Sequence, residues 1–165
     1  MDLQYYYSSD FAVFEEFFLK IEHRKRRYQK KETLSTNGDL MEEMFYILNG
    51  TMAFSFLHES GHVKASCFYG KGYLAPLYYP GDLEVFRSVT ITAVSELDVL
   101  VFDRKKFKKY LNNNLALNEA MYKGYIELVG MLIQYNTNQL FCNGMEKICN
   151  FFTFIWRILK VIRIS

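Results

Sequence analysis

Phe86 to Phe107, FRSVTITAVSELDVLVFDRKKF, limits the folds open to this chain more than any other stretch. After Arg87 and Ser88 come β-branched residues at alternate positions, the pattern of a strand that closes a small barrel. Leu97 to Phe102 then forms a near-continuous apolar strand. Asp103 stands where a helix N-cap belongs, ahead of the basic residues Arg104, Lys105 and Lys106, and Phe107, Tyr110 and Leu111 share one helical face.

The 165 residues suffice for one domain with an appendage and a real core. Half are hydrophobic, with 13 Tyr and 15 Phe, which excludes a disordered chain. A formal charge of +2 does not by itself mark a nucleic-acid surface. Cys67, Cys142 and Cys149 have no spacing that fits a metal finger or a redox pair, so they read as reduced, buried thiols. The N-terminus lacks a basic region followed by an apolar core, and no apolar run reaches the ~18 to 20 residues of a spanning helix. The expectation is a cytoplasmic protein with no membrane span.

Phe11, Phe14, Phe18 and Ile21 recur at helical spacing behind Asp10, a possible cap. HRKRRYQKKE follows and reads as an exposed edge strand running into a turn. Basic side chains on such an edge discourage strand addition, and a polyanion site is the functional alternative. Thr36 to Asp39 is a turn signal. MFYILNGTMAFSFL offers two strands hinged at Asn49 and Gly50, His58 to His62 reverses the chain, and VKASCFYGKGYL ends at Gly70 and Gly72. Short strands with glycine at the corners predict a jelly-roll, or double-stranded β-helix, barrel.

FYILNG at Phe45 to Gly50, HESG at His58 to Gly61, YGKGYL at Tyr69 to Leu74 and the Arg87-Ser88 pair carry a resemblance. The chain resembles the Crp/Fnr family of transcription regulators over roughly residues 20–150. The resemblance implies a mainly β barrel of the cyclic-nucleotide-binding type with a long dimerisation helix behind it. It divides the chain into a barrel with its N-terminal helix (residues 1–111), a dimerisation helix (112–141), and a hinge with a helical tail (142–165). FCNGMEKIC resembles the PrfA-like branch of the family.

In cyclic-nucleotide binders of this family, a Gly approaches the cyclic phosphate, a Glu takes the ribose hydroxyl and an Arg-Ser pair holds the phosphate. Here Tyr73, Leu74, Ala75 and Pro76 occupy the segment, with Ala75 in place of the Gly and Pro76 in place of the Glu. Proline has neither an N–H nor a carboxylate. Arg87 and Ser88 remain, and the adjacent Thr-Ser that reads the purine falls on Leu132 and Ile133, neither of which can hydrogen-bond a base. The expected pocket thus comprises Tyr73, Leu74, Ala75, Pro76, Arg87, Ser88, Leu132 and Ile133. Its ligand is not cyclic AMP but another small molecule or anion, held by Arg87 under a rim of Tyr73, Tyr78 and Tyr79. The structural alternative is a filled barrel in which Arg87 pairs with Asp82, Glu84 or Glu96.

From Leu115 to Leu140 the pattern is helical. Met121, Tyr125, Leu128, Leu132 and Tyr135 recur at four and three residues, the period of a helix-pairing seam, and Gln139 continues it. Gly124 and Gly130 each cost about 1 kcal/mol relative to Ala inside a helix, which suggests close approach of another backbone. After the break at Cys142 to Gly144, Asn150 to Ser165 carries Arg157, Lys160 and Arg163 every third residue among aromatics. This tail reads as a helix packed on the barrel or dimer, an interfacial membrane helix, or the start of a DNA-binding domain.

No His triad fits a cupin metal site, and no nucleophile has a positioned base, so no cofactor, metal or catalytic residue is expected. The partners implied are a second copy through the long helix, a small-molecule effector, and DNA only if a missing C-terminal helix-turn-helix is restored. The alternative is a stand-alone binding module that acts through mixed dimers.

Overall fold

The computed structural model describes residues 5–35, 41–58, 60–81 and 89–162, with side chains to Trp156. Two compact units result: Tyr5–Tyr122, and the chain from Lys123 onward, which comprises the rest of a helix that begins at Leu115 and the helix α4 (Gly144–Ile162).

The first unit begins with β1 (Tyr6–Tyr7), a 3-10 turn at Ala12–Phe14 and α1 (Glu15–Lys20). The strands β2 (Arg24–Tyr28), β3 (Thr33–Ser35), β4 (Glu43–Asn49), β5 (Thr51–Leu57), β6 (Val63–Gly70), β7 (Leu74–Ala75), β8 (Val89–Ala93) and β9 (Leu97–Asp103) follow. Then come α2 (Arg104–Asn112) and α3 (Leu115–Phe141). One sheet has the order β1-β6-β5-β8-β3 and the other β2-β9-β4-β7, and together they form the jelly-roll of the cyclic-nucleotide-binding fold.

β4 and β5 form as the sequence indicates, yet they are not a hairpin. β4 pairs with β7 and β9, whereas β5 pairs with β6 and β8, so the Asn49-Gly50 hinge moves the chain from one sheet to the other. Gly50 has φ +90°, and a Cβ there would lie 2.1 Å from the Glu96 carbonyl oxygen. Only glycine fits both the backbone and the space. Gly72, in the next motif, has φ +78° and faces the Ser9 backbone.

Both faces of β4 and β9 are covered, which explains why their sequences are almost continuously apolar. Phe45 and Ile47 lie opposite Val101 and Val99 on one face, and Met44 and Tyr46 lie opposite Phe102 and Leu100 on the other. That second face meets the helices. The Phe18 ring lies 4.7 Å from Tyr46 and 5.6 Å from Phe102, and Phe102 lies 5.3 Å from Phe107 of α2. The Tyr46 hydroxyl donates to Glu15 Oε2 at 2.9 Å, and burial followed by this bond raises its pKa.

Asp103 caps α2 as expected, accepting from the Lys106 N–H at 2.9 Å. Asp10 is not the N-cap residue: Phe11 holds that position for the 3-10 turn and Phe14 for α1. The 3-10 turn begins after Phe11 without a side-chain cap, Phe11 and Phe18 are buried, and Phe14 and Ile21 are half-buried. The turn expected at Thr36 to Asp39 lies outside the described residues. β2 sits at the edge of its sheet, and its basic side chains are largely paired within the unit. Arg24 and Arg26 reach Glu43, Arg27 reaches Asp98 at 3.2 Å, and only the Tyr28 ring turns inward. This pairing supplies the structural reading of the basic run.

Replacing Phe18 by Ala should cost about 3–5 kcal/mol, because the ring is fully buried and touches three elements. Val13→Ala, at an exposed position, should change stability by no more than about 0.5 kcal/mol. Urea unfolding of both variants tests the contrast.

Candidate functional site

The Gly70 to Tyr73 turn is tied by backbone bonds on both sides. The Gly72 N–H donates to the Ile47 carbonyl and the Ile47 N–H to the Tyr73 carbonyl, while the Phe11 N–H donates to Gly72. This stitching turns Tyr73 inward. Its ring stacks on Tyr69 with centroids 4.7 Å apart, lies 5.7 Å from Tyr7 and meets Phe11 edge-on at 5.5 Å. The pairing register puts Tyr7, Tyr69, Met52 and Ala93 in one row across four strands of the first sheet. Tyr73 therefore packs in the barrel interior.

Leu74 pairs with Tyr46 and Ala75 with Phe45, and both are fully buried. Pro76 is also buried and follows a cis bond. Among the described residues, the buried groups beside this segment are uncharged. The Cys67 thiol donates to the Tyr69 hydroxyl at 3.1 Å, and burial pushes the pKa of both groups up. Each stays protonated at neutral pH.

The residues after Pro76 are held by an arginine. Arg104, the first residue of α2, is only 4% exposed. Its Nη1 donates to the Tyr79 carbonyl at 3.0 Å and to the Gly81 carbonyl, and its guanidinium lies 4.4 Å over the Tyr79 ring. The Arg104 N–H donates to the Glu42 carbonyl at 2.8 Å, and the Tyr79 hydroxyl reaches the Met41 carbonyl at 3.5 Å. Arg104 thus clasps Tyr79 to Gly81, the chain leading toward Arg87, onto the base of α2.

From the sequence, Arg104 looked like one of three basic residues opening a helix. No signal in the sequence sets it apart, because all three cations lie in the first turn and oppose the helix dipole alike. Lys105 and Lys106 keep the surface role, paired with Glu42 at 3.1 Å and Glu22 at 2.7 Å. The hydrogen bond from Lys106, then its charge, lowers the pKa of Glu22.

The remaining candidates are dispersed. Arg87 and Ser88 lie outside the described residues. Tyr79 is buried beneath Arg104, and Tyr78 is half-buried. Met121 is buried in the first unit together with Leu117. In the second unit Leu132 and Ile133 are exposed, and Tyr125, Leu128 and Tyr135 are half-buried. Nothing lies within 4 Å of a Cβ added at Gly130. Among the described residues, no group of three or more His, Cys, Asp or Glu could hold a metal ion.

The cyclic nucleotide-binding domain profile matches residues 25–114. A search of curated proteins finds no match. Among solved structures, the chain is similar to CprK complexed with OCPA, with a TM-score of 0.74 at 15% identity over 91% of this chain and 67% of that one. It is also similar to the c-di-GMP responsive global regulator CLP of Xanthomonas campestris, with a TM-score of 0.71 at 13% identity over 86% and 70% of the two chains. A CooA mutant from Carboxydothermus hydrogenoformans gives a TM-score of 0.69 at 16% identity over 88% and 67%. In another CprK complex this chain spans only 62% of that chain's length. At these identities the likeness is one of fold.

Replacing Arg104 by Met removes a charged donor worth about 1.5–3 kcal/mol per bond. The Tyr79 and Gly81 amides should then exchange with deuterium at least about tenfold faster, while β4 and β9 keep their protection. Hydrogen exchange read by mass spectrometry checks both halves.

Proposed function

The chain belongs to the cyclic nucleotide-binding domain family, and from that membership we propose that it is the effector-sensing and dimerisation part of a Crp/Fnr-like transcription regulator that does not respond to cyclic AMP. The observation that carries this reading is the buried Tyr73-Leu74-Ala75-Pro76 segment. A ribose hydroxyl finds no carboxylate at Pro76, and Tyr73 fills the interior beside it. Structures of the same fold support a different effector. CprK has been solved with o-chlorophenolacetic acid, and CLP is described as c-di-GMP responsive. Arg87 and Ser88 remain the candidates for an anionic group on the ligand.

The output would be a shift between two helix arrangements, biased by ligand in the barrel. Residues 1–111 would sense, residues 112–141 would pair with a second copy, and residues 142–165 would lead onward. An exposed apolar stripe on α3 supports the pairing. Ile126, Val129, Ile133 and Leu140 are all exposed and recur at three, four and seven residues, a helix-pairing period. Leu132, also exposed, borders this stripe and belongs to the seam read from sequence. Met121, buried within its own unit, serves the fold as well.

A ligand at 100 times its Kd adds about 2.7 kcal/mol, or roughly 5–11 °C for a protein of this size. Millimolar cyclic AMP and cyclic GMP should leave the melting temperature unchanged, whereas a stabilising hit from a panel of small aromatic acids would support a divergent sensor. A rise of several degrees with cyclic AMP would contradict the reading. Light scattering should give the mass of a dimer, and Ile126→Glu should give a monomer with little change in barrel stability. A wild-type monomer would refute the pairing.

A further inference from the structure

Residues 5–11 run as a strap along the edge of the first sheet and send one aromatic ring into the barrel. β1 pairs only with β6 and does so in parallel, whereas every other strand pair among the described residues is antiparallel. Three backbone bonds extend the hold. The Phe68 N–H donates to the Tyr5 carbonyl at 2.7 Å, the Ser9 N–H to the Lys71 carbonyl at 2.9 Å and the Phe11 N–H to the Gly72 carbonyl at 2.9 Å. Two glycines make room for the strap. A Cβ at Gly70 would collide with the Tyr6 hydroxyl, and one at Gly72 would lie 2.9 Å from the Ser9 Cα.

The strap is lightly held compared with the strands it crosses. It contributes a two-residue strand, paired on one side only, and parallel pairing is slightly less stable per residue than antiparallel. Ser9 has φ +66°, a left-handed conformation that costs a residue with a Cβ, and it is exposed to water. Segments of this kind open at lower free energy than the core, so Ser9 marks a hinge. Beyond it Phe11 stays anchored edge-on against Tyr73.

The ring that the strap delivers is Tyr7. It is 1% exposed and sits 5.8 Å from the Tyr69 ring and 5.7 Å from the Tyr73 ring. A single phenol is thus enclosed by aromatic walls while its backbone rides on an edge strand. We infer that Tyr7 is an internal occupant of the effector site, and that a small phenolic molecule takes its place when the strap swings out about Ser9. This rests on the sensor reading, which assigns Tyr73 to the effector pocket. One ring position cannot hold two rings, so strap docking and ligand binding are alternatives, and release of the strap is the structural response to the ligand. The competition also sets sensitivity, because the apparent Kd is the intrinsic one divided by the fraction of molecules with the strap out.

The free molecule that matches a tyrosine side chain is p-cresol. The full chain and its Tyr7→Ala variant would be titrated with it by calorimetry, and amide exchange would be read by NMR. The expected result is saturable binding to Tyr7→Ala with a Kd at least tenfold below that of the wild type. In the wild type, p-cresol should speed exchange of the Ser9 and Phe68 amides at least tenfold while β4 and β9 keep their protection. If Tyr7→Ala does not fold, the wild-type exchange decides alone. Binding to the variant without faster strap exchange in the wild type overturns the inference, since the ring then only fills an engineered cavity. Strap exchange that stays unchanged up to the solubility limit of p-cresol also overturns it, as does loosening of β4 and β9 together with the strap, which is general denaturation. None of these outcomes alters the dimer mass or the cyclic AMP response, so the sensor reading stands or falls separately.

Discussion

Phe18 joins the helices to the barrel. One short helix places this ring against Tyr46 of β4 and Phe102 of β9, and Phe107 of α2 closes on the same cluster from the other end of the unit. A strand pair covered on one face only would expose Met44, Tyr46, Leu100 and Phe102 to water. At roughly 1.5–3 kcal/mol per large apolar side chain, covering them is among the larger favourable terms available to a domain of this size. The position of α2, and hence of Arg104, depends on it.

The barrel interior shows what family likeness alone leaves open. The fold is that of cyclic-nucleotide-binding domains, and its Tyr73 to Pro76 segment is made of buried, uncharged groups. Tyr69, Tyr73 and Tyr7 stack through the interior, and the Cys67 thiol beside them is held protonated by burial. Among the described residues Arg104 is the one buried charged side chain, and its Nη1 is committed to backbone carbonyls.

Surface charge follows a different rule. Most of the basic residues that stand out in the sequence have carboxylate partners a few ångströms away, and such exposed pairs contribute at most about 1 kcal/mol each. Their larger effect is to remove the look of a polyanion-binding stripe that HRKRR gives on paper. Exposed apolar side chains are concentrated instead on α3 and α4.

Much of the architecture was legible in the chain itself. Alternating apolar residues with glycine corners determined the β-roll, and Asp103 determined where α2 starts, because these are local consequences of side-chain chemistry and backbone freedom. Pairing between distant residues was not legible. That β4 and β5 part into separate sheets, that Tyr73 turns inward, and that the exposed α3 stripe lies beside the expected seam are decided by three-dimensional packing. So is the burial of Arg104 when Lys105 and Lys106 stay out. A one-dimensional pattern records which side chains avoid water, but only the folded chain decides which neighbours cover them and which are left for a partner to cover.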